Sequence, residues 1–237
     1  MNGEFRVTVA DERQAGVGDA VEDAGERDGR GESAEPDKPA PPTGYRMTTP
    51  TDWFRIPLRD GDKRGKALRA LLDITYPNRD EFALKRRELL DLMTSVTESS
   101  AQRDGVELYV STQAALGVPI PASLLVTAEP EDPAQPRQIP AVMVADGIRD
   151  KYGKDAEVSV VRLPSGNAVR CRRLETSDST RELGAPKQRP STLLEFYLPV
   201  PHSTAWLLLT FSAPLLELAD AQMQLFDAVA SSFRWSR

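Results

Sequence analysis

One short run governs what this chain can fold into. Residues 206–211 read WLLLTF, so a strand laid over them presents apolar side chains to both faces of a sheet. Such a strand must be covered on two sides, which makes it central. Just ahead of it, Leu194, Phe196 and Leu198 alternate with Glu195 and Tyr197, the period of two that a half-buried strand needs. The residues PVPHST stand between the two runs, so together they form a hairpin. After it, Leu215, Leu218, Ala219, Met223, Phe226, Val229, Ala230 and Phe233 recur at helical spacing and make an amphipathic stripe, with Pro214 suited to the helix's first turn.

The same patterns run upstream. TDWFRIPL (51–58) reads as a strand that enters a turn at RDGD. Leu68, Leu71, Leu72 and Tyr76 mark a helix, capped by Asp60 or Asp62 and ended by Pro77. A second helix runs from about Asp80 to Arg103, with Phe82, Leu89, Leu92, Met93 and Val96 on one face. On the other face Lys85, Arg86 and Arg87 are neutralised by Glu81, Glu88 and Asp91, a solvated surface; Asp104–Gly105 stops the helix, glycine accepting the left-handed conformation of a helix end. VELYVST (106–112) and PASLLVTAE (121–129) are strands joined by the turn QAALGVPIP, and the proline-rich PEDPAQPRQIP (130–140) is an exposed loop. Ala141, Val144, Ala145, Ile148 and Tyr152 give a third helix ending at Gly153.

Residues 157–175 form the most legible hairpin, turning at PSGN. Val169, Cys171 and Arg173 share one face, while Arg170 and Arg172 point to water. The polar stretch 175–191 is a long loop, and loops of that length are usually functional or disordered. The element order gives one α+β domain over residues 45–237, a largely antiparallel sheet of about six to seven strands packed with helices.

Charge divides the 237-residue chain unevenly. Residues 1–44 carry 11 acids and 5 bases and almost no large apolar side chains, so they are expected to be a disordered acidic tail. The remainder holds 25 acids and 25 bases. A neutral body offers no basic field for phosphates, which argues against a nucleic-acid binder. No apolar run is long enough to span a bilayer, and the first residues lack the apolar centre of a signal peptide, so a cytoplasmic location is expected. Arginine outnumbers lysine 23 to 7, the bias of a GC-rich bacterial genome.

Reactive groups are sparse. His202, the only histidine, falls in the turn of the late hairpin; Ser203 beside it makes no nucleophile pair, and no G-x-S-x-G occurs. Cys171, the only cysteine, reads as a small core residue, and one histidine with one cysteine cannot supply a zinc site. No phosphate-cradling glycine loop is present; RDGDKRGK lacks the required spacing. No catalytic, cofactor or metal residues are therefore assigned. Trp53, Trp206 and Trp235 each adjoin an apolar stripe and read as core or core rim.

From DWFRIPL to FDAVASSFRWSR, the order of elements resembles the Mog1/PsbP-like superfamily. The likeness lies in an opening strand with Trp53, paired late hairpins and a closing helix ending in Ser232-Phe233-Arg234-Trp235. The phrases WFRIPL, ELY, PVP and LLLTFSAP also look like those of a class of actinobacterial proteins. The superfamily resemblance implies a small binding or assembly factor without a shared catalytic centre. No lipoprotein cysteine stands near the start, so an anchored, exported role is not carried over.

The leading expectation is a non-enzymatic, cytoplasmic protein-binding or accessory module acting through its polar loops, with Arg137, Gln138, Arg181, Glu182, Lys187 and Arg189 as candidate contacts to a protein partner and no membrane or nucleic-acid role. The rival is a hydrolase using a carboxylate pair drawn from Asp52, Glu107, Glu129 and Glu195. A third reading is a small-molecule carrier with an apolar cavity between sheet and helix.

Overall fold

A computed structural model of the chain describes residues 39–115, 118–134, 137–175 and 190–237. It begins with strands β1 (Gly44–Arg46) and β2 (Trp53–Pro57) and helix α1 (Gly61–Thr75). Asp60 starts that helix. Its carboxylate accepts the Lys63 N–H at 3.0 Å, which satisfies an orphan donor of the first turn and holds the Asp60 pKa below its ordinary value. A 3-10 turn over Asp80–Phe82 leads into helix α2 (Ala83–Gln102).

Strand β3 (Gly105–Ser111) follows, then a small ribbon of β4 (Ala114–Ala115) and β5 (Val118–Pro119) inside what reads as a plain turn, then β6 (Ser123–Glu129). Helix α3 (Ala141–Tyr152) precedes the hairpin of β7 (Ala156–Leu163) and β8 (Gly166–Glu175). A second hairpin joins β9 (Ser191–Pro199) to β10 (Trp206–Ala213), and α4 (Ala219–Ser232) and β11 (Arg234–Ser236) close the chain.

The main sheet has seven strands in the order β2-β3-β6-β10-β9-β8-β7, every neighbour antiparallel. The expected α+β architecture is therefore present, and β10, the WLLLTF strand, sits at the centre of the sheet. β1 and β11 pair with each other in a separate ribbon.

Alternation assigns the two faces. Leu207, Leu209 and Phe211 of β10 are fully buried beneath α4, where Phe226 stacks on Phe211 at 4.8 Å and Trp53 meets Phe226 edge-on. On the opposite face α1 and α2 cover β2 and β3 through Ile56, Leu58, Leu68, Leu71 and Leu108. At the other end of the sheet α3 covers β7 and β8 through Ala145, Ile148, Val169 and Cys171. Leu208, Thr210 and Ser212, on the central strand between these helices, are only half-buried.

Several local expectations need correction. The inward face of α2 runs through Leu90, Met93, Thr97 and Ser100, one residue out of phase with the expected stripe, and Val96 is exposed. The small residues near its end let it close down on the start of β3. A Cβ at Gly105 would lie 2.5 Å from the Ser100 carbonyl oxygen, so glycine is needed there for room, while Asp104 takes the positive φ of 58°.

Arg86 is not part of a solvated face. Its guanidinium donates to the Leu72 and Tyr76 carbonyls at the end of α1 and pairs with Asp73 at 2.8 Å, tying the two helices together. The first α-helical residue after Pro214 is Ala219, because Leu215 is extended and Leu216–Leu218 form a 3-10 turn. Arg170 and Arg172 do not point free into water either; they reach Asp227 and Asp220 on α4.

Candidate functional site

The sheet register places the rival's carboxylates apart. Glu107 shares a row with Val126, Leu209, Phe196 and Arg170 on the α4 face, whereas Glu195 shares the opposite face with Leu125, Thr210 and Cys171. Asp52 and Glu129 stand at strand ends, neither of them buried. The two buried acids, Glu107 and Glu195, therefore cannot meet in one cleft. Each is instead paired with an arginine.

Glu195 accepts both Nε and Nη2 of Arg173 at 3.2 Å, and the Arg173 guanidinium lies over the Tyr152 ring at 4.9 Å. Burial works against the Arg173 charge, but the hydrogen bonds and charge of Glu195 outweigh it and raise the guanidinium pKa. Cys171, on the same face, is fully buried. Burial, reinforced by the Glu195 charge, pushes its thiol up to about 11, the state of an inert core thiol. His202 is exposed at a positive φ of 61°, consistent with a turn residue, and Ser203 beside it donates to Glu131 at 2.6 Å.

Around Glu107 the arrangement is different, because it borders open space. Arg55 of β2 and Tyr109 of β3 are register partners, which puts both beside Glu107 on the α4 face. Arg55 donates through Nε at 2.6 Å and through Nη2 to Oε1. Tyr109 donates to Oε2 at 2.9 Å, and Tyr45, arriving from β1, donates to the same oxygen at 2.6 Å. Both carboxylate oxygens are thus satisfied, which a charge with 2% of its side chain exposed requires.

Burial, with the neighbouring Glu107 charge, raises both phenol pKa values well above the ordinary tyrosine range, so both tyrosines remain donors. Burial disfavours the Arg55 cation, but the attraction of the Glu107 carboxylate prevails and the Arg55 pKa is raised. Arg55 is still 40% exposed.

The exposed part of Arg55 faces a cleft of about 510 Å³, bounded also by Arg46, Thr48, Trp53, Tyr109 and Arg234. Its far wall is the β1–β11 ribbon. Tyr45 anchors that ribbon by stacking on Phe233 at 5.3 Å, and Phe233 in turn meets Trp235 edge-on at 4.9 Å. Ser232, at the end of α4, accepts the Thr48 N–H at 2.8 Å and donates to the Val229 carbonyl at 2.6 Å, which pins the wall to the helix. The size fits a small molecule or a short length of peptide. A guanidinium held from behind by a buried carboxylate is pre-oriented for an anionic group.

Sequence reasoning did not find this cleft. A glutamate in the otherwise apolar VELYV and an arginine two residues after Trp53 were its visible signals, but their pairing depends on the β2–β3 register. Of the contacts expected in the loops, Arg137 is exposed and Gln138 is tied by Nε2 to the Ala205 carbonyl at 3.2 Å. Arg181, Glu182, Lys187 and Arg189 lie outside the described residues. Among the described residues no helix is long and apolar enough to cross a membrane.

No protein-family model matches the chain, and no curated protein does. Solved structures are similar. LpqN of Mycobacterium tuberculosis, involved in cell envelope biogenesis, aligns over 82% of this chain and 84% of its own, with 11% identity and a TM-score of 0.43. Cyanobacterial PsbP from Synechocystis sp. PCC 6803 aligns over 81% and 86%, with 11% identity and a TM-score of 0.35. Both are likenesses of backbone arrangement at low identity and say nothing about ligands.

Proposed function

We propose that this protein is a binding or accessory module and that the cleft between Arg55 and the β1–β11 ribbon is where it takes an anionic group of its ligand. The observation that carries this reading is Arg55 itself, fixed from behind by Glu107, whose other oxygen accepts from Tyr45 and Tyr109, while its outer part borders open space. Binding, rather than hydrolysis by a carboxylate pair, is supported by the two buried acids. They lie on opposite faces of the sheet, and each is already held by an arginine. A cytoplasmic site of action remains part of the proposal, resting on sequence composition and on a single buried cysteine.

Amide and arginine Nε–Hε resonances of the labelled full chain, followed while acetate, glutamate or inorganic phosphate is added, test the site. Shifts should concentrate at residues 45–49, 53–55 and 232–234 and shrink in Arg55→Lys, which keeps the charge near Glu107 but loses the planar fork. Shifts scattered over the surface, or equal in the variant, would sink the assignment.

A further inference from the structure

The ligand class can be narrowed, resting on the cleft reading above, by the donors that two of its arginines have left. Arg55 commits Nε and Nη2 to Oε1 of Glu107, which leaves Nη1 without a partner among the described residues. Arg234, on the far wall in β11, commits Nη1 to the carbonyls of Ser231 and Phe233, each at 2.8 Å. Its Nε and Nη2 have no partner among the described residues, and together they form an edge that receives a carboxylate side-on. One arginine thus offers a two-point edge and the other a single point. Each is steadied by the donors it has already used, so less rotamer freedom is lost on binding. Arg46 also borders the cleft but has a partner of its own, and no ligand contact is assigned to it.

The charge of both arginines is partly compensated. Arg55 faces the Glu107 carboxylate, and Arg234 lies on the Ser231 carbonyl in the last turn of α4, the negative end of the helix dipole. Attraction to a ligand grows in proportion to its charge, whereas the cost of dehydrating the ligand grows with the square of that charge. Partly compensated arginines therefore favour one negative charge over two.

The cleft has an apolar stretch as well. Met47 and Trp53 border it, and both pack against the core beneath α4. Trp53 is buried, so Met47, which is only partly buried, is the apolar side chain a ligand can cover.

We infer that the cleft binds a monocarboxylate with an apolar body, its carboxylate side-on to Arg234 and touched by Arg55, its hydrocarbon against Met47. A free carboxylic acid and the C-terminal residue of a polypeptide share this chemistry, and probes of both kinds separate them.

The test follows the Arg55 and Arg234 Nε–Hε resonances of the labelled full chain at pH 6.5 and constant ionic strength, against acetate, butyrate and sulfate. Butyrate should bind about tenfold more tightly than acetate, since each buried methylene adds about fourfold, and more tightly than the dianion sulfate. Arg234→Lys keeps the charge but loses the two-point edge, and should weaken butyrate by about tenfold. Met47→Gln should leave acetate binding unchanged and erase the advantage of butyrate. Circular dichroism checks the folding of each variant. Acetyl-Ala-Val as the free acid is then compared with its amide. An acid that binds at least as tightly as butyrate, beside an amide that does not bind, supports the class with a polypeptide C-terminus as its source; an acid no tighter than acetate supports it with a small free acid.

Sulfate as tight as butyrate, no gain from acetate to butyrate, or indifference to Arg234→Lys would overturn the inference. If sulfate alone shifts the two arginines, the cleft stands as an anion site and only the monocarboxylate class falls. If no anion shifts them, the cleft reading falls with it.

Discussion

Arg170 and Asp227 meet fork to fork, Nε to Oδ1 at 2.8 Å and Nη2 to Oδ2 at 3.0 Å, joining β8 to α4 across the rim of the core. Planar two-point contact is the geometry in which arginine and carboxylate pair most strongly. The exposures of 21% and 42% mean that solvent screens part of it. A double-mutant cycle with Arg170→Ala and Asp227→Ala, measured by urea unfolding, should give a coupling of about 1 kcal/mol that declines in concentrated salt. A coupling near zero at low salt would show the pair to be ornamental.

Glu107 should matter more. Glu107→Gln removes the counter-charge of Arg55 and one of the strong acceptors of two buried phenols. Because Arg55 can still reach water, the loss should be about 2 kcal/mol, below the 3–5 kcal/mol typical of a fully enclosed broken pair. Tyr45→Phe removes one hydrogen bond and should cost about 1–2 kcal/mol. Chemical denaturation of the two variants checks both figures and their order.

Stability should fall in alkali. Cys171 has an ordinary pKa of 9.0 and is raised to about 11 in the fold, and Tyr45 and Tyr109 are raised above their ordinary 10.0. The unfolded chain therefore releases these protons first, binds fewer of them than the native state, and is favoured as pH rises. The Cys171 contribution is intact below 9 and lost by about 11, while the tyrosine contribution begins to fall near 10. Each group approaches a slope of about 1.4 kcal/mol per pH unit within its window. Urea midpoints from pH 8 to pH 11 should decline, and Cys171→Ala should flatten the lower part; a level profile would contradict the burial of these groups.

Gly105→Ala places a methyl group 2.5 Å from the Ser100 carbonyl oxygen and 2.7 Å from Leu58 Cδ1. Backbone cannot yield as a flexible side chain does, so the expected loss is about 3 kcal/mol. By contrast, Gly147→Ala meets nothing within 4 Å in α3 and should be neutral or stabilising. Thermal melts of the pair decide whether close approach, and not glycine's flexibility, sets the requirement.

Arg86→Gln should cost about 1–2 kcal/mol, since it abandons carbonyl oxygens at the end of α1. Its neighbour Lys85 is exposed, and Lys85→Gln should change stability by less than about 0.5 kcal/mol. Equal effects from the two substitutions would restore the solvated-face reading of this basic triplet.

Short-range pattern was sufficient wherever one residue's environment depends on its near neighbours. The two-sided apolar run 206–211 is the middle strand, the period of two in 157–175 is a hairpin, Asp60 caps its helix, and Cys171 lies in the core. These follow from covalent geometry and from the exclusion of apolar groups from water, both of which are written locally.

The charged residues were another matter. Arg86, Arg170, Arg172 and Glu107 all look like surface residues in the one-dimensional string, yet each finds a partner at least 10 positions away. Whether a long polar side chain is solvated or paired depends on which elements pack against it. The Arg55–Glu107–Tyr45 assembly needs a strand register, an isolated ribbon and a helix end in their three-dimensional places before it exists. Amphipathic periodicity settled the scaffold because burial of apolar surface is additive along the chain; the cleft came into being only on folding, because pairing of charges is a matter of distances between remote atoms.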